Sequence, residues 1–120
     1  MEEYRLGTAE ARFADIIWKN EPISSSELVK RCEEELQWKK STTYTVLKRL
    51  IEKGIMKNEN SIVTSLITRE EYCARQSERV VDETFGGSLP AFVVSFASRR
   101  KMSAAEIEEL KRMIDRMGEE

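Results

Sequence analysis

The sequence predicts a mainly α fold with a small β-hairpin, and three observations carry that prediction. Apolar residues recur at helical spacing through most of the 120-residue chain. Three segments, Ser24-Ser25-Ser26-Glu27, Thr68-Arg69-Glu70-Glu71 and Ser103-Ala104-Ala105-Glu106, have the form of capping boxes, in which a hydroxyl and a carboxylate satisfy each other's backbone N–H groups. Only from Ile55 to Ser65 does the period shorten towards alternation, with β-branched residues on the return strand.

The first helix opens at Leu6-Gly7-Thr8-Ala9-Glu10, with Thr8 as N-cap and Glu10 complementing the helix dipole. Phe13, Ile16 and Ile17 mark its inner face, and Pro22 stops it, because proline disfavours helical geometry in the residue before it. A second helix starts at the Ser24 box, stapled by Ile23 and Leu28, with Leu28, Val29, Cys32 and Leu36 as its inner stripe. Gln37-Trp38-Lys39-Lys40 makes a turn into the third helix, whose buried face is Val46, Leu47, Leu50 and Ile51 and which Gly54 closes. Ile55-Met56-Lys57, a tight turn at Asn58-Glu59-Asn60 and a return strand from Ser61 to Ser65 follow as the hairpin. Three helices with a hairpin behind the third form a winged helix-turn-helix arrangement.

The last third is helical again. Ile67 and Tyr72 staple a fourth helix that carries Cys73, Gln76, Val80 and Phe85 towards Gly86-Gly87, read as a C-cap and hinge. Leu89-Pro90-Ala91-Phe92-Val93-Val94-Ser95-Phe96-Ala97 is apolar all round, so it needs cover on more than one side. After Arg99-Arg100-Lys101, the Ser103 box starts a final helix with Ile107, Leu110, Met113, Ile114 and Met117 in one stripe. About fifty residues cannot easily enclose an all-round apolar helix. Either two chains associate here, burying Leu89, Phe92, Val93, Phe96, Ile107, Leu110 and Ile114, or the segment packs on the first domain of its own chain.

Composition excludes several classes of function. No histidine is present, which removes the usual general base and the commonest transition-metal ligand. No metal site, cofactor or enzymatic activity is therefore expected. The two cysteines, Cys32 and Cys73, lie far apart among apolar helical positions and are read as two small buried thiols. No apolar run approaches the roughly 20 residues that span a bilayer, and the acidic start Met1-Glu2-Glu3 is unlike a signal peptide, which predicts a cytoplasmic protein without stable membrane association.

Charge singles out the third helix. Lys39, Lys40, Lys48, Arg49, Lys53 and Lys57 face one anion, Glu52, a local balance of +5 in a chain whose formal total is −2, which leaves −7 for the rest. Ser41, Thr42, Tyr44, Thr45, Lys48 and Arg49 fall mostly off the buried face. A small, hydroxyl-rich, basic surface of this kind suits the major groove, where short side chains reach base edges and cations neutralise phosphates. An ordinary solvated amphipathic helix is the plainer reading of the same stretch.

Taken together, the residues resemble the penicillinase repressor family of bacterial transcription regulators, which includes the methicillin-resistance and copper-responsive repressors. The resemblance rests on Leu6-Gly7, Glu10 and Ile16-Ile17-Trp18; on Trp38, Ser41-Thr42, Thr45, Leu47, Arg49-Leu50 and Lys53-Gly54; on Leu66-Ile67, Glu70-Glu71-Tyr72 and Phe85-Gly86-Gly87-Ser88; and on Ser103, Glu106-Ile107-Glu108-Glu109-Leu110. It implies a homodimeric repressor, with a DNA-binding winged helix over residues 1–66 and a helical dimerisation domain over residues 67–120. The implied partner is a double-stranded DNA operator of the dyad type TACA/TGTA, contacted by Lys40, Ser41, Thr42, Thr45, Lys48 and Arg49. In antibiotic-responsive members a membrane-bound sensor protease triggers cleavage between Asn and Phe; the matching bond here is Ser95-Phe96. The wing is about four residues shorter than is usual in the family, and the cysteine-rich C-terminal metal motif of the copper-responsive branch is absent. A winged-helix protein-interaction module and a small-molecule-responsive regulator remain the alternative readings.

Overall fold

A computed structural model describes residues 5–119. The order is α1 (Thr8–Asn20), β1 (Ile23–Ser24), α2 (Ser25–Leu36), α3 (Lys40–Glu52), β2 (Met56–Glu59), β3 (Ile62–Ser65), α4 (Arg69–Phe85), α5 (Leu89–Arg99) and α6 (Ala104–Gly118). The mainly α fold with a small sheet is as the sequence predicts. The chain divides into two compact units between Ser77 and Glu78, inside α4. The boundary read at 66/67 marks the change from strand to helix, whereas contacts carry the start of α4 into the first unit.

That unit is a three-helix core closed by a sheet. Phe13, Ile17, Leu28, Cys32, Leu50, Ile55, Met56 and Val63 are fully buried within it. Trp38 stacks on Phe13 with ring centroids 5.5 Å apart, which seals the turn between α2 and α3. Trp18 donates Nε1–H to the Ile67 carbonyl at 3.0 Å and packs against Tyr72, so both staple residues of α4 lie in the core beside α1.

Several local expectations are corrected. The N-cap of α1 is Gly7, not Thr8, and Glu10 accepts the Gly7 N–H at 3.0 Å. Ile51 is exposed and Thr43 is fully buried in its stead, its hydroxyl turned back to the Lys39 carbonyl at 3.3 Å. The helical period favours Thr43 because it falls within the Val46, Leu47 and Leu50 stripe, while Ile51 drifts to its edge. The hairpin turn is shorter and later than read: Asn58 and Glu59 belong to β2, Glu59 pairs with Ile62, and Asn60 and Ser61 adopt left-handed φ of 54° and 65°. This is the two-residue connection whose twist matches the strands it joins. The sheet also has a third strand, for Ile23 pairs with Val63 and Ser24 with Ile62. Two residues are too few to show a period, which is why the strand escapes a pattern reading.

Ser24 Oγ accepts the Glu27 N–H, Thr68 Oγ1 accepts the Glu71 N–H, and Ser103 and Glu106 complete both halves of their box. Cys32 is buried but Cys73 is exposed, contrary to the two buried thiols expected, because Cys73 lies about 100° around α4 from the core residue Tyr72 and turns away from the core. Burial pushes the Cys32 thiol up to about 11, with the Thr43 hydrogen bond opposing and Glu35 adding to the shift. A thiol-reactive disulfide reagent at pH 8 is therefore expected to modify one cysteine in the folded chain and two after denaturation; two fast equivalents in the folded state would contradict the burial of Cys32.

In the second unit, Ser88 caps α5 by accepting the Ala91 N–H at 3.1 Å, and Phe85 meets Phe92 edge-on at 5.5 Å. Gly86 and Gly87 take φ of 58° and 84°, and the Gly87 N–H closes on the Val81 carbonyl at 2.9 Å, ending α4 in a left-handed cap as the sequence suggests. Neither α5 nor α6 contains a buried residue. Among the described residues no helix is long and apolar enough to cross a membrane.

Candidate nucleic-acid interface

The helical period and the position of the core together arrange the surface of α3. Thr43, Val46, Leu47 and Leu50 hold the helix down. Ser41, Thr45, Lys48 and Glu52 therefore run along the ridge opposite them, with Thr42 and Arg49 on one flank and Lys40, Tyr44 and Ile51 on the other. Lys40, Ser41, Thr42, Thr45, Lys48 and Arg49 are all exposed, so α3 brings the six expected contacts onto one continuous surface. Glu52 ends the ridge with a negative charge. The Thr45 hydroxyl already donates to the Ser41 carbonyl at 2.9 Å, which leaves its oxygen as an acceptor on this exposed side chain. Such a side chain suits a thymine methyl or an exocyclic amino group.

Not all the cationic block is available to a ligand. Lys53 Nζ bonds Glu10 Oε1 at 3.0 Å and the Arg5 carbonyl at 2.9 Å, and only about a quarter of its side chain is exposed. Arg49 Nη1 lies 3.8 Å from Glu10 Oε2 and is more than half exposed. In the wing, Lys57 pairs with Glu59 at 3.1 Å, so the hairpin offers no net charge. Sequence spacing could not reveal the Glu10 contacts, since Lys53 lies 43 residues away. Tyr44, half-exposed on the flank, was legible from the period as part of this surface but falls outside the positions that the family resemblance supplies.

Partial burial pushes the Glu10 carboxyl up, but the Gly7 N–H, the Lys53 hydrogen bond and the charges of Lys53 and Arg49 outweigh it and hold the group below its ordinary value of 4.5. A carboxylate with a depressed folded-state pKa contributes stability above its unfolded value and loses it as pH falls through the folded one. Acid unfolding followed by circular dichroism should thus show a component below about pH 4.5 that disappears in Glu10→Gln; an unchanged acid limb would contradict it.

The second unit carries a different surface. Leu89, Val94, Phe96, Ile107, Met113, Ile114 and Met117 are exposed and Phe92, Val93 and Leu110 half-buried. An open groove of about 560 Å³ lies among Phe85, Phe92, Ser95, Phe96, Arg99 and Arg100. Val94 leaves 70% of its surface uncovered. Ser95 and Phe96 are exposed, yet their peptide bond lies within helical α5.

Comparison with known proteins agrees with this architecture. The profile described as "Penicillinase repressor" matches residues 6–116. The chain is 26% identical over 117 residues to the methicillin resistance regulatory protein MecI of Staphylococcus aureus, covering 94% of this chain and 95% of that protein. It is 26% identical over 115 residues to the penicillinase repressor of Bacillus licheniformis, covering 92% and 90%. The penicillinase repressor of Staphylococcus aureus is 24% identical over 118 residues, covering 95% and 94%. With the family profile matched from the first turn of α1 to the last turns of α6, this chain belongs to the penicillinase repressor family.

Proposed function

We propose that the protein is a transcriptional repressor that binds a palindromic DNA operator as a homodimer, with α3 of each chain in a major groove. The observation that carries this reading is the surface of α3: a hydroxyl ridge flanked by exposed cations, opposite a fully buried stripe, in a chain that is acidic elsewhere. Cations confined to one helix focus a polyanion there and repel it from other faces. The relatives named as repressors support the regulatory role. The uncovered apolar surfaces of α5 and α6 support the dimer, since a two-fold pair would bury them and present two reading helices to two half-sites.

The same reading extends to release by a sensor protease acting at Ser95-Phe96, as the resemblance implies. Ser98 Oγ donates to the Ser95 carbonyl at 2.7 Å and the Arg100 N–H to that of Phe96 at 3.0 Å, so a protease must unwind the end of α5 before it reaches this bond. Separating the chains would lower affinity steeply, because two linked contacts bind far more tightly than one.

The test is a fluorescence anisotropy titration of the chain onto a labelled TACA/TGTA palindrome and a scrambled duplex at several salt concentrations, with the oligomeric mass measured in the same buffer. Preference for the palindrome, two chains per duplex and a steep negative salt slope are expected. Absence of salt-dependent binding to any duplex would overturn the reading in favour of a protein-interaction module.

A further inference from the structure

Glu10 stands apart from the reading surface in sequence, yet it reaches that surface from the first turn of α1. Its side chain is only 15% exposed, and Oε1 is fixed by the Gly7 N–H at 3.0 Å and by Lys53 Nζ at 3.0 Å. The carboxylate therefore cannot follow Arg49 outward. Arg49 Nη1, 3.8 Å from Oε2, is too far for a hydrogen bond but close enough to be held by charge, and its exposed guanidinium has room to turn away.

We propose that Glu10 is a positioning residue for DNA discrimination: it withdraws Lys53 from phosphate contact and restrains Arg49, so that Arg49 is released only where a correctly placed phosphate compensates for the lost attraction. The inference rests on the operator-binding reading above. On non-cognate DNA, phosphates meet the helix in many poor registers and seldom offset that attraction. On the operator, the register set by the ridge residues brings one phosphate to Arg49. The carboxylate thus weakens non-specific binding more than specific binding, and the difference is specificity.

The experiment titrates wild type, Glu10→Gln, Arg49→Gln, the double variant Glu10→Gln/Arg49→Gln and Lys53→Gln onto palindromic and scrambled duplexes across salt, with melting temperature measured alongside. Glu10→Gln is expected to tighten binding to the scrambled duplex several-fold, to steepen its salt slope by about one unit and to lower the palindrome-to-scrambled ratio. In the Arg49→Gln background the Glu10→Gln effect should fall to less than half. Lys53→Gln should leave the slope of the wild-type chain unchanged.

A lower melting temperature in Glu10→Gln with unchanged slope and ratio would make the residue merely structural and overturn the proposal, as would equal loss of binding to both duplexes. Lys53→Gln tests it independently even if the Glu10 variants fail to fold, since loss of about one unit of slope would make Lys53 a phosphate contact and sink the assignment. Absence of salt-dependent binding by wild type overturns both this inference and the operator-binding reading, whereas operator preference by wild type with unmoved variants overturns this one alone.

Discussion

Reversing both charges in Lys48→Glu/Arg49→Glu is expected to weaken operator binding by at least about 100-fold at physiological salt, the largest effect of any change on the surface of α3. Each phosphate contact removed takes about one unit from the salt slope, and each reversal adds repulsion where attraction had been. Lys48 lies on the ridge and Arg49 on its flank, and both are exposed, so the core of α3 is untouched. The dimer should survive, and circular dichroism should match that of the parent chain. Binding within threefold of the parent, with the slope intact, would place the DNA contact elsewhere on the molecule.

The second large effect is expected at Phe92→Ala. The ring meets Phe85 edge-on at 5.5 Å and Phe96 at 6.3 Å, so it is the middle member of an aromatic row that reaches the uncovered side of α5. Phe92 is half-buried within its own chain, and if the proposed dimer seam completes its burial, removing the phenyl group costs about 3 kcal/mol or more, which corresponds to a dimer constant weakened about 100-fold when the loss falls on association. Sedimentation equilibrium reads it directly. An unchanged dimer constant would place the seam on another surface and leave Phe92 as internal packing of its own unit.

How much of this was legible before the structure depends on the range of the interaction. Local hydrogen bonds wrote themselves into the chain: the Ser24, Thr68 and Ser103 caps each follow from residues three apart, and each is present. The buried stripe of α3 was legible except at its edge, where a period of 3.6 residues exchanges Ile51 for Thr43 over two turns. Strand β1 was not legible, because two residues carry no period and their pairing with Ile62 and Val63 closes a loop of nearly forty residues. For the same reason six exposed candidate contacts could be named from α3 alone, while the neighbours that restrain two of the cations, Glu10 and the Arg5 carbonyl, could not. Nothing in the spacing marks which glutamate faces which lysine. Cys73 failed differently: its neighbours in sequence are apolar enough to suggest burial, but its direction on α4 is set by Tyr72 turning into the core.

The wing described above, two residues at its tip and electrically neutral through Lys57 and Glu59, bears on gene dosage. On the dimeric reading proposed above, a hairpin with a two-residue tip and no net charge would add little grip to a half-site, so each chain would depend on its partner to stay bound. Below the dimer constant, the amount of paired protein varies as the square of chain concentration. On the same reading, halving the chain concentration would cut the paired form about fourfold, and repression would be lost over a narrow range of protein abundance.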